Sequence, residues 1–357
     1  MNTFFIVGVQ RSGTTLLSKM MSQHPEILME TKSVGFRMIT GFSNLYDLLP
    51  LNLQHDKNEF LAWLIKNDSD GRLAEIIDYQ NIKDYDSVRN LIQGSLEKRL
   101  TIAGKTVWGD KSPNLQHYLD DLLLLLPEVK ILQIIRDGRA NAYSMSTRSY
   151  QHLSLSAQKW VDGNIFGIVN QEILGRKQYK MIRYEDLLED PEKVGRAVCQ
   201  FLNIPFATQM LQLSGPQLDQ PESYVKNFFD KSKIDKWKEQ LNSEQIKQIE
   251  EIQGPLLKKM GYKLSTSTND LSFRPISLFQ KIRYNQQDNI KQLFRRKRIG
   301  MKDFQMVELN IPLKVRVKTF FRILVKDIFS LAIFKKYFSR IFYKEKFYQK
   351  EEKYESD

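Results

Sequence analysis

Short apolar runs and longer helical patterns alternate along most of the chain. Residues 4–7 form a β-prone apolar run that Gly8 ends, which is typical of a buried strand in a parallel sheet. From Thr14 onward, apolar residues recur at helical spacing until Pro25 stops the pattern. Residues 130–135 and 179–183 are two further buried-strand patterns. The alternation predicts an α/β protein whose central parallel sheet is flanked by helices in three layers.

Further helical patterns connect and follow these strands. They cover most of residues 34–105, and residues 120–127, 191–203 and 243–260. Asp190 and Pro191 form a typical helix start, with a capping carboxylate followed by a proline in the first turn. Between two of the helical patterns, residues 107–113 are predicted to form a turn, because Gly109 and Pro113 interrupt the helical spacing.

Composition places the chain among soluble globular proteins. It has 357 residues, of which 41% are hydrophobic and 27% are charged. Its one cysteine, Cys199, allows no internal disulfide and leaves too little thiol for a zinc site. Because the first strand pattern starts close to Met1, we expect neither a signal peptide nor an N-terminal anchor helix, and the expected location is the cytoplasm.

The net charge of +12 comes from the C-terminal part of the chain. Residues 271–357 contain 21 Lys and Arg and 9 Asp and Glu, whereas residues 1–270 contain 33 of each kind. The polar linker at residues 265–270 separates the two parts. We therefore predict a catalytic domain at residues 1–264 and a helical, basic extension at residues 265–357.

The basic extension contains a cationic cluster at residues 294–298 and an amphipathic helical pattern at residues 319–342. The Lys and Arg within that pattern exclude a transmembrane span. A basic amphipathic helix favours peripheral binding to an anionic membrane surface. Packing on the catalytic domain or on a second subunit explains the same pattern equally well. Nucleic acid is not expected as a partner, because no recognition module accompanies the charge.

The segment after the first strand has the layout of a phosphate-binding loop. A strand, a glycine-bounded loop and a helix direct backbone N–H groups and the positive helix end toward an anion. A nucleoside triphosphatase loop has a lysine after its second glycine, but here Thr14 follows Gly13. The cation is Arg11, inside the loop. This pattern favours an anion that needs no metal ion, although an ordinary glycine turn would have the same spacing.

A second anion-binding pattern follows the predicted strand at residues 130–135. Arg136 ends this strand, and ligands of open α/β sheets gather at the carboxyl ends of the strands. Its guanidinium can bind a phosphate through two hydrogen bonds, and Ser144 adds a hydroxyl on the helix that follows. An arginine at a strand end can also be a structural ion-pair partner.

The motifs R-S-G-T-T at residues 11–15 and R-D-G-R-A-x-x-x-S at residues 136–144 resemble those of the sulfotransferases that use 3′-phosphoadenosine 5′-phosphosulfate (PAPS). The resemblance is to the tyrosylprotein and bacterial branches, and it extends over residues 3–262. It implies a P-loop-like fold, PAPS as co-substrate, adenosine 3′,5′-bisphosphate as product and no metal. The donor-binding residues that it implies are Arg11, Ser12, Gly13, Thr14 and Thr15 for the 5′-phosphosulfate, Arg136 and Ser144 for the 3′-phosphate, Tyr184 near the adenine, and Ser232 and Lys233 over the nucleotide.

The resemblance also implies catalytic roles for Arg11, Glu30 and Lys111. Glu30 precedes Thr31 as in the family's Glu-Thr pair, slightly closer to Arg11 than usual, and would accept the proton of the acceptor hydroxyl. Lys111, in the sequence D-K-S-P, would contact the transferring sulfuryl group. His117 is an alternative base. The other interpretations are a surface carboxylate, a solvated lysine and a packed histidine.

The sequence thus predicts sulfuryl transfer from PAPS to an acceptor hydroxyl, with a glycan, lipid-linked or small-molecule acceptor favoured over peptide tyrosine. Two other functions stay open at this point. One is a P-loop small-molecule kinase, against which the missing loop lysine argues. The other is a membrane-associated binding protein whose nucleotide site is vestigial.

Overall fold

A computed structural model of the chain describes residues 1–30, 76–149, 151–213, 228–277, 279–285 and 287–288. These residues divide into two compact units. The first unit lies within residues 1–149 and 156–275, and the second contains residues 151–155 and the described residues from 276 onward. The domain boundary predicted at residue 264 stays a prediction.

A five-stranded parallel sheet forms the centre of the described part of the first unit. Its strands are β1 (Asn2–Val7), β2 (Ile27–Glu30), β3 (Val107–Lys111), β4 (Lys130–Ile135) and β5 (Tyr179–Arg183). Their spatial order is β2-β3-β1-β4-β5. β2 and β3 therefore lie on one side of β1, and β4 and β5 lie on the other side. Such a reversal leaves a crevice at the carboxyl end of the strand where it occurs.

Helices connect the strands and continue after the last of them. They are α1 (Thr14–Ser22), α2 (Val88–Ala103), α3 (Leu119–Leu125), α4 (Gly138–Arg148), α5 (Leu153–Gln178), α6 (Tyr184–Glu189), α7 (Pro191–Leu202), α8 (Lys236–Gln240) and α9 (Ser243–Lys259). Short 3₁₀ turns lie at Tyr79–Asp84, Leu115–His117, Thr208–Leu211, Lys231–Lys233 and Thr268–Asp270. The Asp190 side chain caps α7, which begins at Pro191 as predicted.

Two apolar layers cover the faces of the sheet. Successive side chains of a strand point to opposite faces, so Phe4 and Ile6 of β1 lie on one face and Phe5 and Val7 on the other. Phe4 and Ile6 pack with residues of α1 and α7, and Phe5 and Val7 pack with residues of α2 and α3. This three-layer α/β arrangement confirms the predicted fold class.

The strands predicted at residues 4–7, 130–135 and 179–183 are confirmed as β1, β4 and β5. The turn predicted across residues 107–113 is wrong, because its first part is the buried strand β3. Gly109 and the residues after it have low strand propensity, which conceals the strand in the sequence. Pairing with β1 on one side and β2 on the other outweighs that propensity.

A buried ionic network connects the residues just after β4 to α9. Arg139 is 4% exposed and donates to both carboxylate oxygens of Asp137 and to Oε1 of Glu250, with N–O distances of 2.7 to 3.0 Å. Glu250 is fully buried and also accepts from the backbone N–H groups of Ser265 at 2.8 Å and Thr266 at 2.9 Å. The charges of this network therefore have partners, which is the condition under which buried charges are tolerated.

Three predictions concern residues outside the described ranges: the part of the helical pattern of residues 34–105 that precedes residue 76, the cluster at 294–298 and the amphipathic pattern at 319–342. In the second unit, the His152 ring stacks on the Tyr284 ring with centroids 3.6 Å apart. The backbone N–H of His152 donates to the Asp288 carboxylate at 2.9 Å. Across the described residues, we find no helix with the length and apolarity to span a bilayer.

Candidate functional site

The carboxyl ends of the five described strands carry the residues that the sequence singles out. In spatial order they are Glu30 on β2, Lys111 on β3, the loop at residues 8–13 after β1, Arg136 after β4 and Tyr184 after β5. Because parallel strands end at the same edge of a sheet, these residues form a row along that edge. The loop after β1 is at the centre of the row, where the strand order reverses.

The backbone of this loop adopts conformations that favour glycine. Gly8 and Gly13 have φ angles of +145° and +103°, and Arg11 has a φ of +68°. A Cβ at Gly8 would lie 2.5 Å from the carbonyl oxygen of Ile134 in β4, so the loop starts in close contact with the neighbouring strand. Strained backbone of this kind is typical of functional loops. Helix α1 begins at Thr14, so its positive end faces the loop.

Gly13→Ala is expected to destabilise the protein by about 1–3 kcal/mol, because alanine strains this backbone and its Cβ would lie 2.3 Å from the Tyr184 ring. Gly104→Ala is the matched control. Gly104 also has a positive φ, +61°, but a Cβ there would meet no described atom within 4 Å. Urea unfolding should show the larger loss for Gly13→Ala. Equal losses would contradict a tight contact between the loop and Tyr184.

The two anion-binding patterns predicted from the sequence contact each other. Arg11 Nε donates to Ser144 Oγ at 3.2 Å, and Arg136 Nη1 donates to the carbonyl oxygen of Arg11 at 3.3 Å. The Nε of Arg136 is buried and donates to no acceptor within the described part of the chain. A buried donor without an acceptor is destabilising. An oxygen of a bound phosphate would be a suitable acceptor.

Tyr184, Ser232 and Lys233 surround Arg136. The Tyr184 ring is buried, and the Arg136 guanidinium lies 4.6 Å from its centroid. Arg136 Nη2 donates to the carbonyl oxygen of Lys233 at 3.2 Å. The Ser232 hydroxyl donates to Asp230 at 2.6 Å, and the Lys233 ammonium lies 3.7 Å from the same carboxylate. The turn that carries Ser232 and Lys233 is thereby held beside the end of β4.

Positive charge accumulates along this edge of the sheet. The pKa of Arg11 is lowered, first by desolvation of the part of its side chain that faces the protein and then by repulsion from Arg148 and Arg136. Burial also lowers the pKa of Lys111, against the opposing effect of Asp110. Cations that repel one another are stabilised when an anion binds among them. The electrostatics of the edge therefore favour an anionic ligand.

Glu30 and Lys111 lie across the loop from Arg136. Glu30 is next to Asp110 in the register of β2 and β3 and accepts a hydrogen bond from Arg99 of α2 at 2.5 Å. Lys111 follows Asp110 along β3. Its side chain therefore projects from the other face of the sheet, which is the face covered by α1. The row thus has carboxylate and ammonium groups at one end and guanidinium groups at the other.

His117, the alternative base, lies in the 3₁₀ turn after β3. Its ring packs edge-on against Phe166 with the centroids 4.5 Å apart. Ser12 of the loop is buried, and at the start of α1 Thr14 is buried and Thr15 is exposed. The roles assigned to these residues, and to Glu30, Lys111 and the donor-binding set, stay predictions.

Two buried amides at the loop were missed by the sequence reasoning. Asn141 Nδ2 donates to the carbonyl oxygen of Gln10 at 2.8 Å and to Ser12 Oγ at 3.0 Å. Gln116 Oε1 accepts from the N–H of Gly8 at 3.3 Å. Asn141 and Gln116 are fully buried, so both are available only to their protein neighbours.

Asn141 could have been identified as a site residue from the sequence, whereas Arg99 could not. Ser144 is a predicted phosphate ligand, and Asn141 precedes it by about one helical turn. Both residues therefore lie on the face of α4 that the prediction identifies. Arg99 meets Glu30 across 69 positions of the chain. Only the placement of α2 against the edge strand brings the two together.

A separate cavity of about 320 Å³ lies beside the buried ionic network. Its lining includes Arg139, Arg183, Glu185, Trp237 and Tyr262. The Tyr262 hydroxyl donates to Glu185 at 3.0 Å, and burial raises the pKa of Glu185. Because its charges are of mixed sign and largely paired, this cavity lacks the excess of cations found at the strand ends. Within the described ranges, no three His, Cys, Asp or Glu side chains are grouped so that they could share a metal ion.

Several known proteins are similar to this chain. A putative protein-tyrosine sulfotransferase of Caenorhabditis briggsae is 25% identical over 286 residues, which are 75% of this chain and 91% of the relative. Protein-tyrosine sulfotransferase A of Caenorhabditis elegans is 27% identical over 274 residues, which are 72% of this chain and 66% of the relative. Among solved structures, the sulfotransferase domain from the olefin synthase of Synechococcus PCC 7002 has a TM-score of 0.49 and 22% identity, and covers 74% of this chain and 96% of that domain.

The sequence profile of the sulfotransferase family matches residues 3–208. This range is more than half of the chain and contains β1 to β5, the loop after β1 and the segment that carries Arg136 and Ser144. The resemblance seen in the two motifs is therefore confirmed across the whole sheet. The chain belongs to the sulfotransferase family.

Proposed function

We propose that this protein transfers the sulfuryl group of PAPS to an acceptor hydroxyl and releases adenosine 3′,5′-bisphosphate. The contact between Arg11 and Ser144 is the observation that carries the proposal. It joins a phosphate-type loop to a second cationic site within one edge of the sheet. A nucleotide with anionic groups at both its 5′ and its 3′ position fits such a pair of sites. Membership of the sulfotransferase family supports the type of reaction.

The proposed donor is held at both ends. Arg136 and Ser144 bind its 3′-phosphate, and the Arg136 Nε has no acceptor among the described residues. The loop N–H groups and Arg11 bind the 5′-phosphosulfate at the positive end of α1. Tyr184, which packs on Arg136, lies near the adenine. Attachment at two points orients the sulfur for in-line attack.

During transfer, a bond forms between the acceptor oxygen and sulfur while the bond between sulfur and the bridging phosphate oxygen breaks. Negative charge develops on the bridging oxygen, and Lys111 and Arg11 stabilise it together with the loop N–H groups. The proton of the acceptor hydroxyl passes to the Glu30 carboxylate, which Arg99 holds at the end of β2. The reaction is balanced without a further reactant.

The acceptor is proposed as a class, a molecule with a free hydroxyl. The preference for a glycan, lipid-linked or small-molecule acceptor over peptide tyrosine finds no support in the relatives, since two of them are named protein-tyrosine sulfotransferases. An acceptor panel therefore contains a tyrosine peptide beside an oligosaccharide and a simple phenol.

Adenosine 3′,5′-bisphosphate is expected to raise the melting temperature of the purified protein. A ligand that binds only the folded state stabilises it, by roughly 2.7 kcal/mol when its concentration is about 100 times Kd. Differential scanning fluorimetry measures the shift, and Mg-ATP at the same concentration is the control. Transfer is then measured with labelled PAPS and the acceptor panel.

The outcomes separate the three candidate functions. A shift with Mg-ATP and none with adenosine 3′,5′-bisphosphate would overturn the proposal in favour of a P-loop kinase. Binding of adenosine 3′,5′-bisphosphate without transfer to any member of the panel would instead favour a binding protein with a vestigial site.

A further inference from the structure

We propose that Asn141 is a positioning residue that holds residues 10–12 of the loop in the conformation that binds the 5′ end of the donor. The identity of the ligand rests on the proposed function above, whereas the contacts themselves are described in the structure. Asn141 lies near the start of α4 and has no exposed surface.

The described hydrogen bonds of the Asn141 side chain reach the loop. Nδ2 donates to the carbonyl oxygen of Gln10 at 2.8 Å and to the hydroxyl oxygen of Ser12 at 3.0 Å. These two acceptors flank Arg11, whose φ of +68° is unfavourable for a residue with a side chain. The Asn141 Oδ1 is buried and has no partner among the described residues. The described hydrogen bonds of the side chain are therefore made by its donors, and both go to the loop.

The pair of acceptors explains why an amide is required at this position. Nδ2 carries two N–H groups, and each can serve one acceptor. A leucine side chain of similar size has no donor. An aspartate carboxylate would direct oxygen atoms at the carbonyl oxygen of Gln10, and its charge would repel an anion in the loop. Replacement by either residue would leave a partly buried loop carbonyl without this donor.

Support from Asn141 matters because the loop conformation is strained. If the strained loop already has its binding conformation before the ligand arrives, no binding free energy is lost to ordering the loop. Without the support, Arg11 can relax toward a negative φ, which moves its guanidinium away from Ser144. The backbone N–H groups that follow move with it. The effect is larger at the 5′ end of the site, because Arg136 has a second hydrogen bond outside the loop, to the carbonyl oxygen of Lys233 at 3.2 Å.

Asn141 also differs from the other amide at the loop. Gln116 fixes the start of the loop through the N–H of Gly8, and it follows β3. Asn141 belongs to α4, the helix that carries Ser144. Asn141 therefore links the helix that carries Ser144 to the loop that binds the 5′ end of the donor. The distance between the two anion sites is thereby fixed before the donor binds.

The test compares two ligands that differ only in the 5′-phosphate: adenosine 3′,5′-bisphosphate and adenosine 3′-monophosphate. In calorimetric titrations, Asn141→Leu should lower the affinity for the bisphosphate by about 10-fold or more, the size expected for one or two lost hydrogen bonds, and change that for the monophosphate by less than about 2-fold. Asn141→Asp should lower the bisphosphate affinity further through charge repulsion.

Asn164→Leu is the matched control, since Asn164 is 1% exposed and bonds to Trp160 and Gln133, away from the loop. It should reduce stability and keep the ratio of the two affinities at the wild-type value. If Asn141→Leu leaves the ratio of the two affinities at the wild-type value, for example by lowering both equally, Asn141 has a merely structural role and the inference is overturned.

If Asn141→Leu does not fold, the ratio of the two affinities is measured with Asn141→Asp, which keeps the side-chain shape. A wild-type protein that binds neither ligand would refute the proposed function, and this inference with it. A wild-type protein that binds both, with variants of unchanged ratio, would refute the role of Asn141 alone.

Discussion

Arg136→Met is expected to lower the affinity for adenosine 3′,5′-bisphosphate by roughly 10- to 100-fold, with little change in the free energy of unfolding. The side chain is half-buried, and its Nη groups reach two carbonyl oxygens at 3.2 and 3.3 Å. Its buried Nε has no acceptor in the described part of the chain. Methionine can cover the Tyr184 ring but offers neither a charge nor a donor to a phosphate.

Calorimetric titration measures the affinity of this variant, and urea unfolding measures its stability. Arg136→Lys is the matched variant, because it keeps the charge and loses the planar fork of donors, so that an intermediate affinity is expected. An Arg136→Met protein that binds the bisphosphate like the wild type would exclude Arg136 from the ligand site.

Arg139→Met, at the next turn of the same motif, is expected to have the opposite profile. The substitution leaves the carboxylates of Asp137 and Glu250 buried without their shared cation, which costs about 3–5 kcal/mol in buried pairs. It also removes the guanidinium that lies 4.2 Å from the Trp237 ring centroid. The fold is therefore weakened, because both buried carboxylates lose their shared partner.

Urea unfolding followed by circular dichroism tests this expectation. Arg196→Met is the control, since Arg196 pairs with Glu192 at 2.7 Å on the surface of α7, where both side chains are more than half exposed. Little change in stability is expected there, because exposed ion pairs contribute little. Similar unfolding midpoints for the two variants would contradict a stabilising role of the buried network.

The fold could be predicted from the sequence as far as most residues of a strand are apolar. β1, β4 and β5 are of this kind, and each is found where the pattern placed it. β2 has four residues, and β3 contains Gly109, Asp110 and Lys111, so their strand character depends on the neighbours with which they pair. Pairing between distant segments leaves no local trace in the sequence.

The residues of the candidate site were predictable as a set of motifs, but their contacts were not. Arg11 and Ser144 are separated by 133 positions, and their hydrogen bond depends on β4 lying directly beside β1. The same holds for Arg99 and Glu30, which meet through the packing of α2. The order of strands in the sheet is therefore the information that the motifs lacked.

The buried network around Glu250 also determines how short a working fragment of this chain can be. Two of the donors to this carboxylate are the backbone N–H groups of Ser265 and Thr266, just past the predicted end of the catalytic domain. A fragment that ends at residue 264 removes both donors from a fully buried charge. Expression of the catalytic unit should accordingly extend to residue 275, where the compact unit ends.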